Sequence, residues 1–187
     1  MDLQHALQPS AQDEGGLFVI NVKYTMMTNA LVSVLGYLLR DKRQTGALVS
    51  IDRPHTYVSK LLEKHAIPQD RLMFLDAVTN LSGEASLPNE KIELLSSPFC
   101  INFLTTFVST HCAQAIASRS GFIMMDNLSA LMPYMTEACV ERLIGIIKSM
   151  QTKCIIVLDK NQHKGLFDMV VKHGAKEISI TGDSIPL

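Results

Sequence analysis

Apolar positions along the chain follow two rhythms. Short continuous apolar runs read as strands covered on both faces: "LFVINV" (17–22), "GALVSI" (46–51), "RLMFLDA" (71–77), "GFIMMD" (121–126), "KCIIVLD" (153–159) and "KEISI" (176–180). Between them lie longer stretches of helical period. Leu31, Val34, Leu35, Leu38 and Leu39 repeat at helical spacing after the first run. A helix over about 55–65 follows Pro54, which is well placed to start it. A helix over about 98–118 carries Ile101, Leu104, Val108, Cys112 and Ala115 on one face. Pro133 opens a helix to about 150, and a last helix over about 164–173 stops at Gly174. Residues 78–97 read as a long polar loop, and 1–15 as a flexible tail ending at a glycine pair.

This alternation predicts an α/β protein: a three-layer α/β/α sandwich around a mainly parallel sheet, in one domain over 16–187. In such a sheet ligands sit at the carboxyl ends of the strands. The loops "VKYTMMT", "DRPH", "AVTN" and "DNLSA" are expected to gather there.

Composition narrows the function. With 187 residues and 47% hydrophobic content the chain can bury a full core. No apolar run reaches the roughly 18 residues that cross a membrane. The start, "MDLQHALQPSAQDEGG", lacks the basic and apolar regions of a secretion signal, so a cytoplasmic protein is expected. A formal net charge of −1 offers no basic excess for a nucleic-acid backbone, so nucleic acid is not an expected partner. Cys100, Cys112, Cys139 and Cys154 are widely spaced and read as buried reduced thiols. His111 beside Cys112 is a poor zinc pair, because adjacent helical residues point to different faces.

The most informative stretch is "VINVKYTMMTNAL" (19–31), a strand, a loop and a helix start. A phosphate-binding loop has this layout, with GxxxxGK[ST] between the two elements. Here Lys23 stands at the first glycine, Thr28 at the second, Asn29 at the lysine and Ala30 at the hydroxyl position. Met26 and Met27 add bulk where backbone would approach a phosphate. One reading is a plain turn with Thr25 or Thr28 capping the helix. The other is a weak anion site made by the helix N-terminus, with Lys23 as its charge. An ATPase also needs a strand-end Asp for magnesium, and Asp126 in "GFIMMDN" has that place. Asp52 and Asp76 end strands too. The three carboxylates are either a cation site or solvated loop acids and helix caps.

These pieces together resemble the RecA-like ATPases, within them the KaiC/RadA group, over about residues 16–181. "FLDA" (74–77) and "IMMDNLSAL" (123–131) carry the likeness most specifically, the latter following the family's aspartate strand with Asn127 for its usual serine. "ALVSIDRPH" is similar to the family strand that ends in one or two catalytic glutamates, with Asp52 in that place, followed by Arg53. The resemblance implies the RecA-like fold. The activity is not implied. The phosphate-loop residues are replaced, the glutamate is at most an aspartate, and the chain stops near Leu187, before the strand that carries a basic residue in relatives.

The expected function is therefore a non-catalytic, RecA/KaiC-like pseudo-ATPase domain without a cofactor. It would act as a regulatory or scaffold module that binds protein, either itself or an active RecA-like relative. A wide apolar stripe between Met135 and Met150 is either an ordinary buried helix face or, through its excess width, an association face. The alternative is an ATPase or nucleotide sensor taking ATP with magnesium. In it Asp126 holds the metal, Asp52 orients water and Lys23 meets phosphate, with Lys23, Thr28, Asn29 and Ala30 lining the nucleotide.

Overall fold

In the computed structural model, residues 16–79, 91–94, 106, 110, 121–150 and 152–179 are described. The strands are β1 (Gly16–Asn21), β2 (Gly46–Ser50), β3 (Leu72–Asp76), β4 (Ile92–Leu94), β5 (Phe122–Met125), β6 (Lys153–Leu158) and β7 (Lys176–Ser179). The helices are α1 (Met27–Leu35), α2 (His55–Lys64), α3 (Glu137–Ser149) and α4 (Lys164–Lys172). The strands form one sheet in the order β4-β3-β2-β5-β6-β1-β7, and every pairing is parallel. This is the predicted α/β architecture.

Strand alternation divides the core in two. On one face Phe18, Ile20, Leu48, Phe74, Met124, Ile155 and Val157 pack against α1 and α2, through Leu31, Leu35, Val58 and Leu62. On the other, Val19, Val49, Leu75, Met125 and Ile156 pack against α3 and α4, through Val140, Ile144, Phe167 and Val170. Helix α1 runs on into a π-helical segment, Gly36–Asp41, which still buries Tyr37, Leu38 and Leu39. Helix α4 ends at Gly174, whose φ of +91° is the left-handed turn read from the sequence.

Two elements differ from expectation. Strand β4, paired with β3, falls inside the stretch read as a polar loop. Helix α3 begins at Glu137, after a 3-10 turn over Leu128–Leu131, rather than at Pro133. Its apolar stripe serves the chain's own core: Met135, Val140, Leu143, Ile144 and Ile147 are buried in it, and Cys139 and Met150 pack against it. Ile146 alone of the eight stripe residues lies outside that cluster, so this helix leaves little apolar surface for another subunit. The helix expected over 98–118, with Cys100 and Cys112, lies outside the described residues. Cys154 is buried as expected, while Cys139 is half-buried.

Gly46 shows how tightly the sheet is packed. It pairs with Phe122 across β2 and β5, and the Phe122 ring lies over it. A Cβ there would stand 2.5 Å from ring carbons of a fully buried side chain. Gly46→Ala is expected to destabilise the fold by about 1–3 kcal/mol, the usual cost of overpacking. Urea unfolding measures it, and an unchanged midpoint would show that the ring moves freely.

Candidate functional site

The carboxyl ends of four adjacent strands carry a row of polar residues. In sheet order they are Asp76 (β3), Ser50 (β2), Asp126 (after β5) and Asp159 (after β6). By alternation all four share the face of α1 and α2, since Phe74, Leu48, Met124 and Val157 two residues earlier pack there. All four are buried. The three acids do one thing in common: each accepts backbone N–H groups from a loop leading into α1 or α2.

Asp159 takes the first of these loops. Its Oδ2 accepts the Tyr24 N–H at 2.8 Å, and its Oδ1 accepts the Asn161 N–H at 2.9 Å. Tyr24 opens a 3-10 turn, Tyr24–Met26, that runs directly into α1. Neither turn nor helix has a side-chain cap, so the capping expected of Thr25 or Thr28 is replaced by a carboxylate from β6. Asn21 Oδ1 also accepts the Lys160 N–H at 3.2 Å, and the Val22 N–H reaches the Leu158 carbonyl at 3.0 Å. The ends of β1 and β6 are thus stitched together. Here the chain leaves in opposite directions, from β1 toward β2 and from β6 toward β7, which is where open α/β sheets hold ligands.

The predicted phosphate-loop positions differ in exposure. Lys23 is exposed, Thr28 and Asn29 are half-buried, and Ala30 is fully buried beneath α1. Met27 is fully buried as well. The chain passes from strand to core-packed helix within a few residues.

Asp126 serves the second loop. Its Oδ1 accepts the N–H groups of Ile51 and Asn127, both at 2.8 Å, and lies 3.3 Å from the Asp52 N–H. Asp52 receives the Asn127 side-chain amide at 3.3 Å and Arg53 Nη2 at 3.2 Å. Ser129 donates its hydroxyl to Asn127 Oδ1 and so orients that amide. Arg53 Nη1 is 4.0 Å from Asp126 Oδ2 and, though buried, makes no hydrogen bond within the protein. Burial pushes the Asp126 carboxyl up to about 6; the Ile51 amide and the Arg53 charge oppose the rise, and Asp52 adds to it. The structure thus joins Asp52 and Asp126, through Arg53 and Asn127.

Asp76 closes the row against α2. Its Oδ2 accepts the His55 N–H at 2.7 Å, His55 Nδ1–H at 2.6 Å and the Thr79 hydroxyl at 2.6 Å. Its Oδ1 accepts the Val78 and Thr79 N–H groups, both at 2.8 Å. A carboxylate only accepts, which fixes the proton on His55 Nδ1. Burial pushes this carboxyl up, but the Thr79 hydroxyl and the His55, Thr79 and Val78 amides outweigh it, and the pKa falls below 3.8.

Each acid of the row holds loop backbone in place. Among the described residues no group of three or more His, Cys, Asp or Glu side chains is arranged to hold a metal ion. Asp159, His55, Arg53 and Thr79 were not picked from the sequence as site residues. A signal for Asp159 was present, since "IIVLD" ends as "MFLD" and "FIMMD" do.

No family model matches the chain, and no curated protein matches it in sequence. Solved structures do resemble it. The KaiC-like protein PH0186 from the hyperthermophilic archaeon Pyrococcus horikoshii superposes with a TM-score of 0.62 at 10% identity, over 91% of this chain and 75% of that one. The uncharacterized protein PH0321 of the same organism, in complex with an unknown peptide, gives 0.64 at 12% identity, over 90% and 80%. These likenesses support the RecA/KaiC-like fold read from "FLDA" and "IMMDNLSAL". No helix among the described residues is long and apolar enough to cross a membrane.

Proposed function

We propose that this chain is a non-catalytic module of RecA/KaiC-like fold. It works by binding protein, as a regulatory or scaffold part of an assembly with itself or with a RecA-like relative. The observation that carries this reading is the contact between the Tyr24 amide and the Asp159 carboxylate. The N-terminus of the first helix is where a nucleotide phosphate would be received. Here an internal carboxylate already occupies that amide, and a phosphate brought to it would meet like charge. The turn offers no glycine to widen it, and Lys23 is directed to solvent. The peptide held by PH0321 supports protein binding as a use of this fold.

Calorimetric titration with ATP and ADP, with and without magnesium, tests the reading. The expected result is no binding at millimolar nucleotide. Magnesium-dependent binding in the micromolar range, lost in Asp126→Asn, would overturn it and favour a nucleotide sensor, with Asp126 at the metal and Asp52 beside it.

A further inference from the structure

The described surface has few large exposed apolar side chains: Tyr24 at 46%, Tyr57 at 47%, Tyr134 at 60% and Val171 at 39%. The three tyrosines all lie at the carboxyl edge of the sheet. Tyr24 is in the turn after β1, Tyr57 is in the first turn of α2, and Tyr134 follows the 3-10 turn after β5. Val171 is at the far end of α4, on the opposite edge. Tyr24 and Tyr57 belong to the side of α1 and α2, while Tyr134 leads into α3 on the other side. Tyrosines therefore border the strand ends from both faces.

The charge at this edge is sorted by depth. The acids Asp76, Asp126 and Asp159 are buried and turned inward onto backbone N–H groups. Half-buried Asp52 is matched by Arg53. Among the described residues, the groups that reach solvent around them are mostly cationic: Lys23 before the first turn and Lys164 at the start of α4 are exposed, and Lys160 is half-exposed over the Phe167 ring. Glu137, at the start of α3, is the exposed acid there among the described residues. Tyrosine supplies large contact area at low entropic cost, and an accessible rim of lysines attracts acidic groups.

We infer that this carboxyl edge is a docking surface for an acidic, extended segment of a partner protein. It rests on the protein-binding reading above and names the partner's chemistry. Strands β1 and β2, which lead to Tyr24 and Tyr57, are three positions apart, about 14 Å at ~4.8 Å per strand. An extended segment of about four residues spans that distance at ~3.4 Å per residue. Its aromatic or aliphatic side chains rest against the tyrosines, and its carboxylates meet Lys23, Lys160 and Lys164.

A random peptide display library, selected on the whole chain at physiological salt, tests this. Recovered peptides are expected to be enriched in Asp and Glu over the input. The first variant is the double charge reversal Lys23→Glu with Lys164→Glu. Both side chains are exposed, and an unchanged urea midpoint for the variant separates lost binding from unfolding. The second is Tyr24→Ala with Tyr57→Ala, two exposed side chains. Each variant should weaken a recovered acidic peptide by roughly tenfold or more. A pool without acidic enrichment, no recovery above the empty support, affinity unchanged in either variant, or displacement by single-stranded nucleic acid would each overturn the inference. Such failure, with nucleotide still not bound, overturns only this surface; nucleotide binding overturns the functional reading beneath it.

Discussion

Replacing Asp76 by Ala is expected to cost the fold about 3–5 kcal/mol, since each buried donor left without an acceptor costs about 1–3 kcal/mol. The reason is the number of groups left without a partner. The Asp76 carboxylate receives five hydrogens, from the backbone and ring of His55, the hydroxyl and amide of Thr79 and the amide of Val78. His55 and Thr79 are themselves buried, so water cannot replace the lost acceptor without opening the site. The N-terminus of α2 has no side-chain cap of its own, since Pro54 precedes it, and it relies on Asp76. Urea unfolding at neutral pH measures the loss. A cost under about 1 kcal/mol, the ordinary surface value, would show that the loops around β3 rearrange freely. The pH dependence follows from the lowered carboxyl. Its contribution is complete above the unfolded value of 3.8 and is lost as pH falls through the still lower folded value. The gap between parent and variant should therefore narrow only in acid, below about pH 4.

The same clasp explains what the sequence reveals and what it hides. Continuous apolar runs such as "KCIIVL" exist because a parallel strand is covered on both faces, so six of the seven strands are legible within a residue or two. Strand β4 is not legible. "IEL" is three residues long and half-buried, and its pairing with β3 leaves no local pattern. The start of α3 is misplaced because Pro133 is an acceptable first helical residue, whereas the chain first makes a 3-10 turn that buries Leu128 and Leu131. The stripe on α3 suggested a second interface, and the core beneath the sheet absorbs nearly all of it. At the site, residue types were readable but directions were not. Asp52, Asp76 and Asp126 were recognised as strand-end acids, a position compatible with a cation. That each buried carboxylate turns onto amides from another loop depends on strand order, which brings Asp126 beside β2 and Asp159 beside β1.

Asp126 should behave in the opposite sense to Asp76 as pH changes, and comparing two substitutions isolates its part. Its carboxyl is raised from 3.8 to about 6 because burial penalises the charge more than the Ile51 amide and Arg53 favour it. The folded state therefore holds this proton more tightly than the unfolded chain does. The contribution to stability is greatest below 3.8 and falls as pH rises through about 6. A rise of about two pK units is worth about 3 kcal/mol across that window. Asp126→Asn keeps an acceptor for the Ile51 and Asn127 amides and has no proton to lose. The unfolding free energy of the parent, minus that of this variant, should thus fall by about 2 kcal/mol between pH 4 and 7. Taking the difference cancels Asp76 and the other titrating groups that do not interact with Asp126. Asp126→Ala is the contrasting case. It removes the acceptor from amides of Ile51, Asp52 and Asn127 and leaves Arg53 with one nearby carboxylate instead of two. It should be destabilised relative to Asp126→Asn by about 2–4 kcal/mol at every pH, since buried donors without partners cost about 1–3 kcal/mol each. A parent-minus-Asn difference that is flat with pH would show that Asp126 is not held as a buried charge. An Ala variant as stable as the Asn variant would show that the β2 loop does not depend on its carboxylate.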